Sequence, residues 1–395
     1  MKLLADARPD ALDPAQLTGS SRQREDLDRI LAGDTEGPSG RFRMARPLRG
    51  GVARPFAAAV ALTAVAASVV VVTALDPQAP PGGGTGAHPE SSSSATNTTL
   101  PNGRLELLAA ASKAETSTAR GTYWQTATRS ENVDVVGEEG ALFAVSTTSR
   151  ADWSVGVRPG EESLMVIGID GLTAPRTAED EARWKAAGSP GTLQVQGGDR
   201  AGAGTLGITI GSHERPMVMR TDGEGKIYAI GPRNVSYDDL RELPTASGEL
   251  RRYLKALYAE DSGAETAAGE TAWVLRRAAD LVTMPVRPAV RAAAYRVMAE
   301  LPGVRVLGQA TDPLGRHGVA VVAPGTSRTP LGGVEQRFLV DPSSGEMLSE
   351  QSVLVEPSAR AREAGLTAGT TVNYQATTRM SWGEQQITVP KNARK

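Results

Sequence analysis

The sequence predicts an α+β domain, a curved antiparallel sheet with packed helices, preceded by one transmembrane helix and a disordered linker. Three observations carry this. After a first helix, two sets of strand-like runs lie in the region after residue 101, and a block of amphipathic helices separates them. Short turn signatures join neighbouring strands, which favours antiparallel pairing. The stretch from Phe56 to Leu75 holds no charge, no Gly and no Pro. At 1.5 Å rise per residue it is long enough to cross a hydrocarbon core of about 30 Å.

Arg41, Arg43, Arg46, Arg49 and Arg54 precede that stretch, and Asp76 follows it. Positive charge stays on the cytoplasmic side, so residues 1–55 are expected inside and residues 102–395 outside. A cleaved signal is the alternative, with Val72-Thr73-Ala74 as a small-residue cleavage site. The long lead and the long apolar run favour a retained anchor. A buried core helix fits poorly, because the flanks are basic and then Pro/Gly-rich. The expected location is the cell membrane, single-pass, with the lipid bilayer as the first partner.

Residues 1–55 read as a short cytoplasmic segment, largely disordered. Ser20 and Gln23 form a capping-box pattern, and Leu27, Ile30 and Leu31 then fall at i, i+3 and i+4 before Gly33. Such a helix is too short to stand alone in water. Its three apolar residues are the candidate contact for a cytosolic partner on which it would fold, with an interfacial helix as the alternative. Residues 76–101 form a linker, with PQAPPGGGTG followed by SSSSATNTT.

The outer domain opens with a helix over Leu105–Ala114. Strands are expected at Gly121–Arg129, at Ala141–Val157 as a hairpin about Ser149-Arg150-Ala151-Asp152, and at Ser163–Ile169. Thr177, with Asp180 at N3, caps a helix that ends before Gly188. Leu206–Ile210 and Arg215–Thr221 read as strands, and Asp222-Gly223-Glu224-Gly225 as a hairpin turn into Lys226–Ile230. Ser236 and Asp239 cap a short helix. Leu250, Tyr253, Leu254, Leu257 and Tyr258 form an amphipathic stripe. A helix follows over Ala272–Val282, then one with Pro288 at N1 and the stripe Val290, Ala294, Val297, Met298 and Leu301. Pro302-Gly303 ends it. Strands return at 304–310, 318–323, 334–340, 347–355 and 371–380, with turns at Asp312–Gly315 and Asp341–Gly345.

Forty-three basic and forty-five acidic residues leave a net charge of −2 and no nucleic-acid footprint across the chain. There is no cysteine, hence no disulfide framework and no thiolate zinc site. Gly202-Ala203-Gly204-Thr205-Leu206-Gly207 matches GxGxxG, but Ile208-Thr209-Ile210 reads as strand where a dinucleotide site needs a helix. The three histidines, His88 in the linker, His213 beside Glu214 and His317 in a hairpin turn, show no helical ligand spacing. No serine-nucleophile pattern is present. No catalytic, cofactor or metal residue is therefore assigned. Trp124, Trp153, Trp184, Trp273 and Trp382 read mostly as core. A concave apolar sheet face is the expected binding surface, for a lipid chain or a partner peptide.

Several short motifs add a likeness. The head opens Leu3-Leu4-Ala5-Asp6-Ala7-Arg8-Pro9. Leu301-Pro302-Gly303-Val304 is followed by Asp312, Gly315-Arg316 and Gly318, and then by Leu339-Val340-Asp341-Pro342 with Gly345. With one span and a Pro/Ser linker, this order resembles a family of actinobacterial single-span proteins. Many are of unassigned function, and some are encoded near extracytoplasmic-function sigma factors. The outer domain also looks like a lipoprotein-carrier half-barrel, as in periplasmic sensors that bind anti-sigma factors. The resemblance implies a non-enzymatic protein that binds a ligand or partner outside and relays that state to a cytosolic regulator such as a sigma factor. A tethered lipid or lipoglycan carrier is the alternative, and an envelope hydrolase the third reading. The zinc-binding anti-sigma pattern is excluded, since residues 1–55 contain neither His nor Cys.

Overall fold

A computed structural model describes residues 103–394, except 118–119, 159, 197–204, 214, 222–225 and 262–267. Leu27, Ile30, Leu31, the predicted span Phe56–Leu75 and the linker lie outside the described residues. Among those described, no helix is long and apolar enough to cross a membrane.

The architecture is α+β with one large antiparallel sheet. Helix α1 (Gly103–Glu115) leads into three long strands, β1 (Tyr123–Val136), β2 (Phe143–Gly156) and β3 (Ser163–Pro175). Then come α2 (Ala178–Ala186), β4 (Thr192–Gln196), β5 (Thr205–Thr209), β6 (Gly211–His213), β7 (Met217–Thr221), β8 (Tyr228–Ile230) and β9 (Arg233–Val235). The helical block is α3 (Tyr237–Glu242), α4 (Ser247–Glu260), α5 (Glu270–Thr283) and α6 (Pro288–Glu300). The chain closes with β10 (Arg305–Thr311), β11 (His317–Val322), β12 (Ser327–Thr329), β13 (Gly332–Asp341), β14 (Glu346–Pro357), α7 (Ala359–Glu363) and β15 (Thr371–Gly383). The main sheet runs β10-β11-β13-β14-β15-β1-β2-β3-β6, with β12 beside β13 and β7 beside β3.

Local chemistry explains the elements. Thr177 and Asp180 exchange side-chain and backbone bonds as a capping box, and Asp180 also accepts from the Ala144 amide at 2.7 Å. One carboxylate thus starts α2 and fixes it to β2. Ser236 and Asp239 form the same capping box at the start of α3. Helix α6 begins with Pro288 and is buried on most sides, at Val290, Ala292, Ala293, Ala294, Tyr295, Val297 and Met298. The small residues Ala110, Ala111 and Ala114 of α1 join the same core, and side chains of this size let two helices approach closely. Tyr295 donates from its hydroxyl to the Gly345 carbonyl at 3.0 Å. Gly345 has φ +75°, and a Cβ there would sit 2.8 Å from the Ala110 carbonyl oxygen, so this turn requires glycine.

Arg291 holds the junction of α5 and α6. Its Nε donates to the Val282 carbonyl (2.8 Å) and Nη2 to the Met284 carbonyl (2.9 Å), the orphan carbonyls at the end of α5. The guanidinium lies 5.4 Å from the Trp124 ring centroid, and Trp124 itself donates to the Thr283 carbonyl. Burial lowers the pKa of this guanidinium from its ordinary value. Arg291→Lys keeps the charge but loses the fork. It should cost about 1–3 kcal/mol, read as a lower urea midpoint.

Several sequence expectations need correction. Ala141–Val157 is not a hairpin: β2 pairs with β1 through an unbroken register from Gly156 to Phe143. Its polar residues Ser149, Arg150 and Asp152 lie within a continuous strand, with Arg150 bonded to Asp170 and near Asp152. β1 and β3 likewise run past their expected ends. The turn 222–225 lies outside the described residues. The hairpin expected around it does not form, since β7 pairs with β3 and β8 with β9. His317 is the first residue of β11, not part of the turn. Helix α7, capped by Ser358, packs with Val133 and Val135 on the sheet face opposite α5, so the helices do not all share one face.

Candidate functional site

The face of the sheet toward α5 is apolar at one end, where Trp124, Phe338 and Val340 lie with the helices. It is apolar again where Val136, Phe143 and Val145 lie with Leu193, Val195 and Ile208 of the β4–β5 hairpin. Between these two cores it is polar. The expected apolar face is therefore corrected over this stretch.

Strand periodicity places Thr126, Thr128, Ser130, Asn132 and Asp134 of β1 on one face. The partners of Ser130 and Asn132 in register are also polar. Gln336 of β13 stands opposite Ser352 of β14, Ser352 opposite Asn373 of β15, and Asn373 opposite Asn132 of β1. Asn132 stands opposite Thr147 of β2, and Thr147 opposite Thr173 of β3. This is one transverse row across six strands, about 24 Å at ordinary strand spacing. A second row, Glu350, Gln375, Ser130 and Ser149, runs beside it.

Side-chain bonds link the members. Ser352 donates to Gln336 Oε1 at 3.1 Å, and Gln336 to Glu350 at 2.8 Å. Glu350 also pairs with Arg276 of α5 at 2.6 Å. Asn373 donates to Asn132 at 3.3 Å and Asn132 to Asp134 at 3.1 Å. The Thr147 and Thr173 hydroxyls share a short hydrogen bond, and Thr173 bonds His213 Nε2 at 2.8 Å. Thr147 and Thr173 are buried, whereas Ser130, Asn132, Ser149, Asn373 and Gln375 are half-buried and reachable. Burial beside the β4–β5 core raises the Asp134 carboxyl to about 6, against a smaller opposing effect of the Asn132 bond.

The row ends at the sheet edge in a groove of about 790 Å³. One wall is Ile169 to Leu172 of β3, another is Ser212, His213, Arg215 and Pro216, and the third is the segment Pro390 to Ala393. That last segment is held by Arg394, whose amide donates to the Pro216 carbonyl at 2.7 Å and whose carbonyl accepts from the Val218 amide. Glu214 lies outside the described residues.

Leu27, Ile30 and Leu31, the predicted partner contact, and the span ends Phe56 and Leu75 fall outside the described residues. Sequence reasoning assigns none of these outer residues to a site, and His213 enters it only among histidines that lack ligand spacing. The readable signal was the alternation Thr126, Thr128, Ser130, Asn132 and Asp134 within a strand whose other positions include Val133 and Val135. Of the GxGxxG match, the described part 205–207 lies in strand β5, which continues to Thr209, so no helix N-terminus follows it. Among the described residues no three His, Cys, Asp or Glu side chains gather as a metal site. Comparisons with protein-family profiles, with curated proteins and with solved structures found no match for this chain.

Proposed function

We propose that this chain is a non-enzymatic, single-pass membrane protein whose extracytoplasmic domain binds a ligand or partner on the polar stretch of its sheet. The segment before the span relays the bound state to a cytosolic regulator such as a sigma factor. One observation carries the binding part of this reading. The six-strand row is polar throughout, partly open, and runs into a groove. A face serving only as core would be filled with apolar side chains. Neutral amides and hydroxyls in register offer a hydrogen-bonding surface to a polar ligand.

The sheet in this proposal bends as a half-barrel around that stretch. The lipid-carrier alternative is less favoured here. An acyl chain laid over Ser130, Asn132 and Gln375 would remove their water without replacing its hydrogen bonds.

Affinity capture of the full-length protein from detergent-solubilised native membranes, followed by mass spectrometry, tests both halves. The expected result is a retained polar ligand or envelope partner together with a cytosolic protein. Ser130→Val with Asn132→Leu should release the first only, and Leu27, Ile30 and Leu31→Ala the second only. Recovery of the protein alone overturns the reading, and recovery with lipid alone transfers the case to the carrier.

A further inference from the structure

We propose that the edge groove is an oxyanion subsite that receives a phosphate or carboxylate group of the ligand. This rests on the binding reading above and assigns the chemistry at one end of that site. Three cationic or ionisable side chains border the groove from two separate walls: His213 and Arg215 after β6, and Lys391 on the facing segment. Neither Arg215 nor Lys391 has an ion-pair partner among the described residues, so both charges face solvent in the free protein. The described acid on the wall, Asp170, is already engaged by Arg150 at 3.1 Å.

His213 is the oriented member. Its Nε2 is held by the Thr173 hydroxyl, which is buried and bonded in turn to Thr147. The two ring nitrogens point away from each other, so fixing Nε2 at the sheet leaves Nδ1 free for a ligand. Two exposed cations and one oriented imidazole suit an oxyanion with several acceptor oxygens, because charge-assisted bonds are the strong ones. The groove's volume exceeds that of a single phosphate, which leaves room for the rest of a larger molecule to continue toward the polar rows.

The test is calorimetric titration of the full-length protein with inorganic phosphate and, separately, with succinate, at constant ionic strength. The chain has three histidines, so isotope labelling of histidine lets the His213 ring be followed at the same time, with His317 as an internal control. Saturable binding that moves the His213 signal and leaves His317 unchanged is the expected result. Arg215→Gln with Lys391→Gln should weaken it by about tenfold or more without changing Tm, since both side chains are exposed. Binding of phosphate alone assigns a phosphoryl ligand, and binding of succinate assigns a carboxylate. Absence of saturable binding by either anion, or unchanged affinity in the double variant, overturns the subsite. A ligand still captured from membranes in that case leaves the binding reading standing, so the two failures are distinguishable.

Discussion

Asp312→Ala is expected to destabilise the domain by about 3–5 kcal/mol, the range for breaking a buried ion pair from one side. The Asp312 side chain is fully buried. Its Oδ1 accepts from the Leu314 and Arg316 amides at 2.9 and 2.8 Å, and its Oδ2 from Arg316 Nε and Nη2 at 2.8 and 2.6 Å. The same guanidinium donates to the Thr377 carbonyl of β15 and the Leu348 carbonyl of β14, each at 2.6 Å. One carboxylate thus shapes the β10–β11 turn and aims an arginine that ties the turn to two further strands. Removing it leaves two amides without their acceptor and a guanidinium without its counter-charge. Urea unfolding checks the magnitude. Adding Arg316→Met should restore part of the loss, because the stranded charge is then gone. A double variant no more stable than Asp312→Ala alone would show that the charge is not what costs.

Asp134→Asn should act in the opposite direction, with a pH signature. The folded protein raises this carboxyl from 3.8 to about 6. Between those values the folded state binds the proton more tightly than the unfolded state. Stability from this group is therefore full below about pH 4 and is lost as pH rises through about 6. At neutral pH the ionised carboxylate is a burden of up to about 3 kcal/mol, less for its partial contact with solvent. The asparagine variant should be about 2 kcal/mol more stable than the parent at pH 7.5 and nearly equal to it at pH 4. Urea midpoints of the pair across that range give the difference directly. Equal midpoints at pH 7.5 would contradict it. A binding loss at pH 7.5 together with the gain in stability would place Asp134 among the groups that meet the ligand.

The helices were legible because their signals are local. Thr177–Asp180 and Ser236–Asp239 cap as their spacing requires. Leu250, Leu254 and Leu257 of the α4 stripe are buried, with Tyr253 and Tyr258 half-buried, and Val290, Ala294, Val297 and Met298 of α6 are buried. The turn at Asp312–Gly315 joins β10 to β11 as expected. Its partner Arg316 was legible as a neighbour in a motif, but not as a cross-link to Leu348 and Thr377, because those carbonyls come from distant strands. The candidate site failed for the same reason. Each strand contributes one or two ordinary polar residues, and only register brings Gln336, Asn373, Asn132 and Thr173 into line. Register depends on pairings far apart in the chain, which no window of sequence contains. The misread hairpin at Ser149–Asp152 belongs here too. A polar run in mid-strand resembles a turn until the neighbouring strands that accept those side chains are known.

The strand order bears on how this domain comes into being. β15 lies between β14 and β1, at the middle of the sheet rather than its rim, and the contact between Thr122 and Glu384 spans 262 residues. A ribosome or translocase delivering the chain N-terminus first has supplied β1, β2 and β3 long before the strand that joins them to β10–β14. Until then there are two partial sheets, each with an open edge. Loops of this length close slowly, and an unpaired edge invites wrong partners. Folding is therefore expected to finish only once residues 371–383 are delivered, and a chain interrupted before Thr371 yields two unjoined pieces rather than a slightly smaller domain. Whatever escorts this chain has to protect the edge of β1 until the last strand arrives.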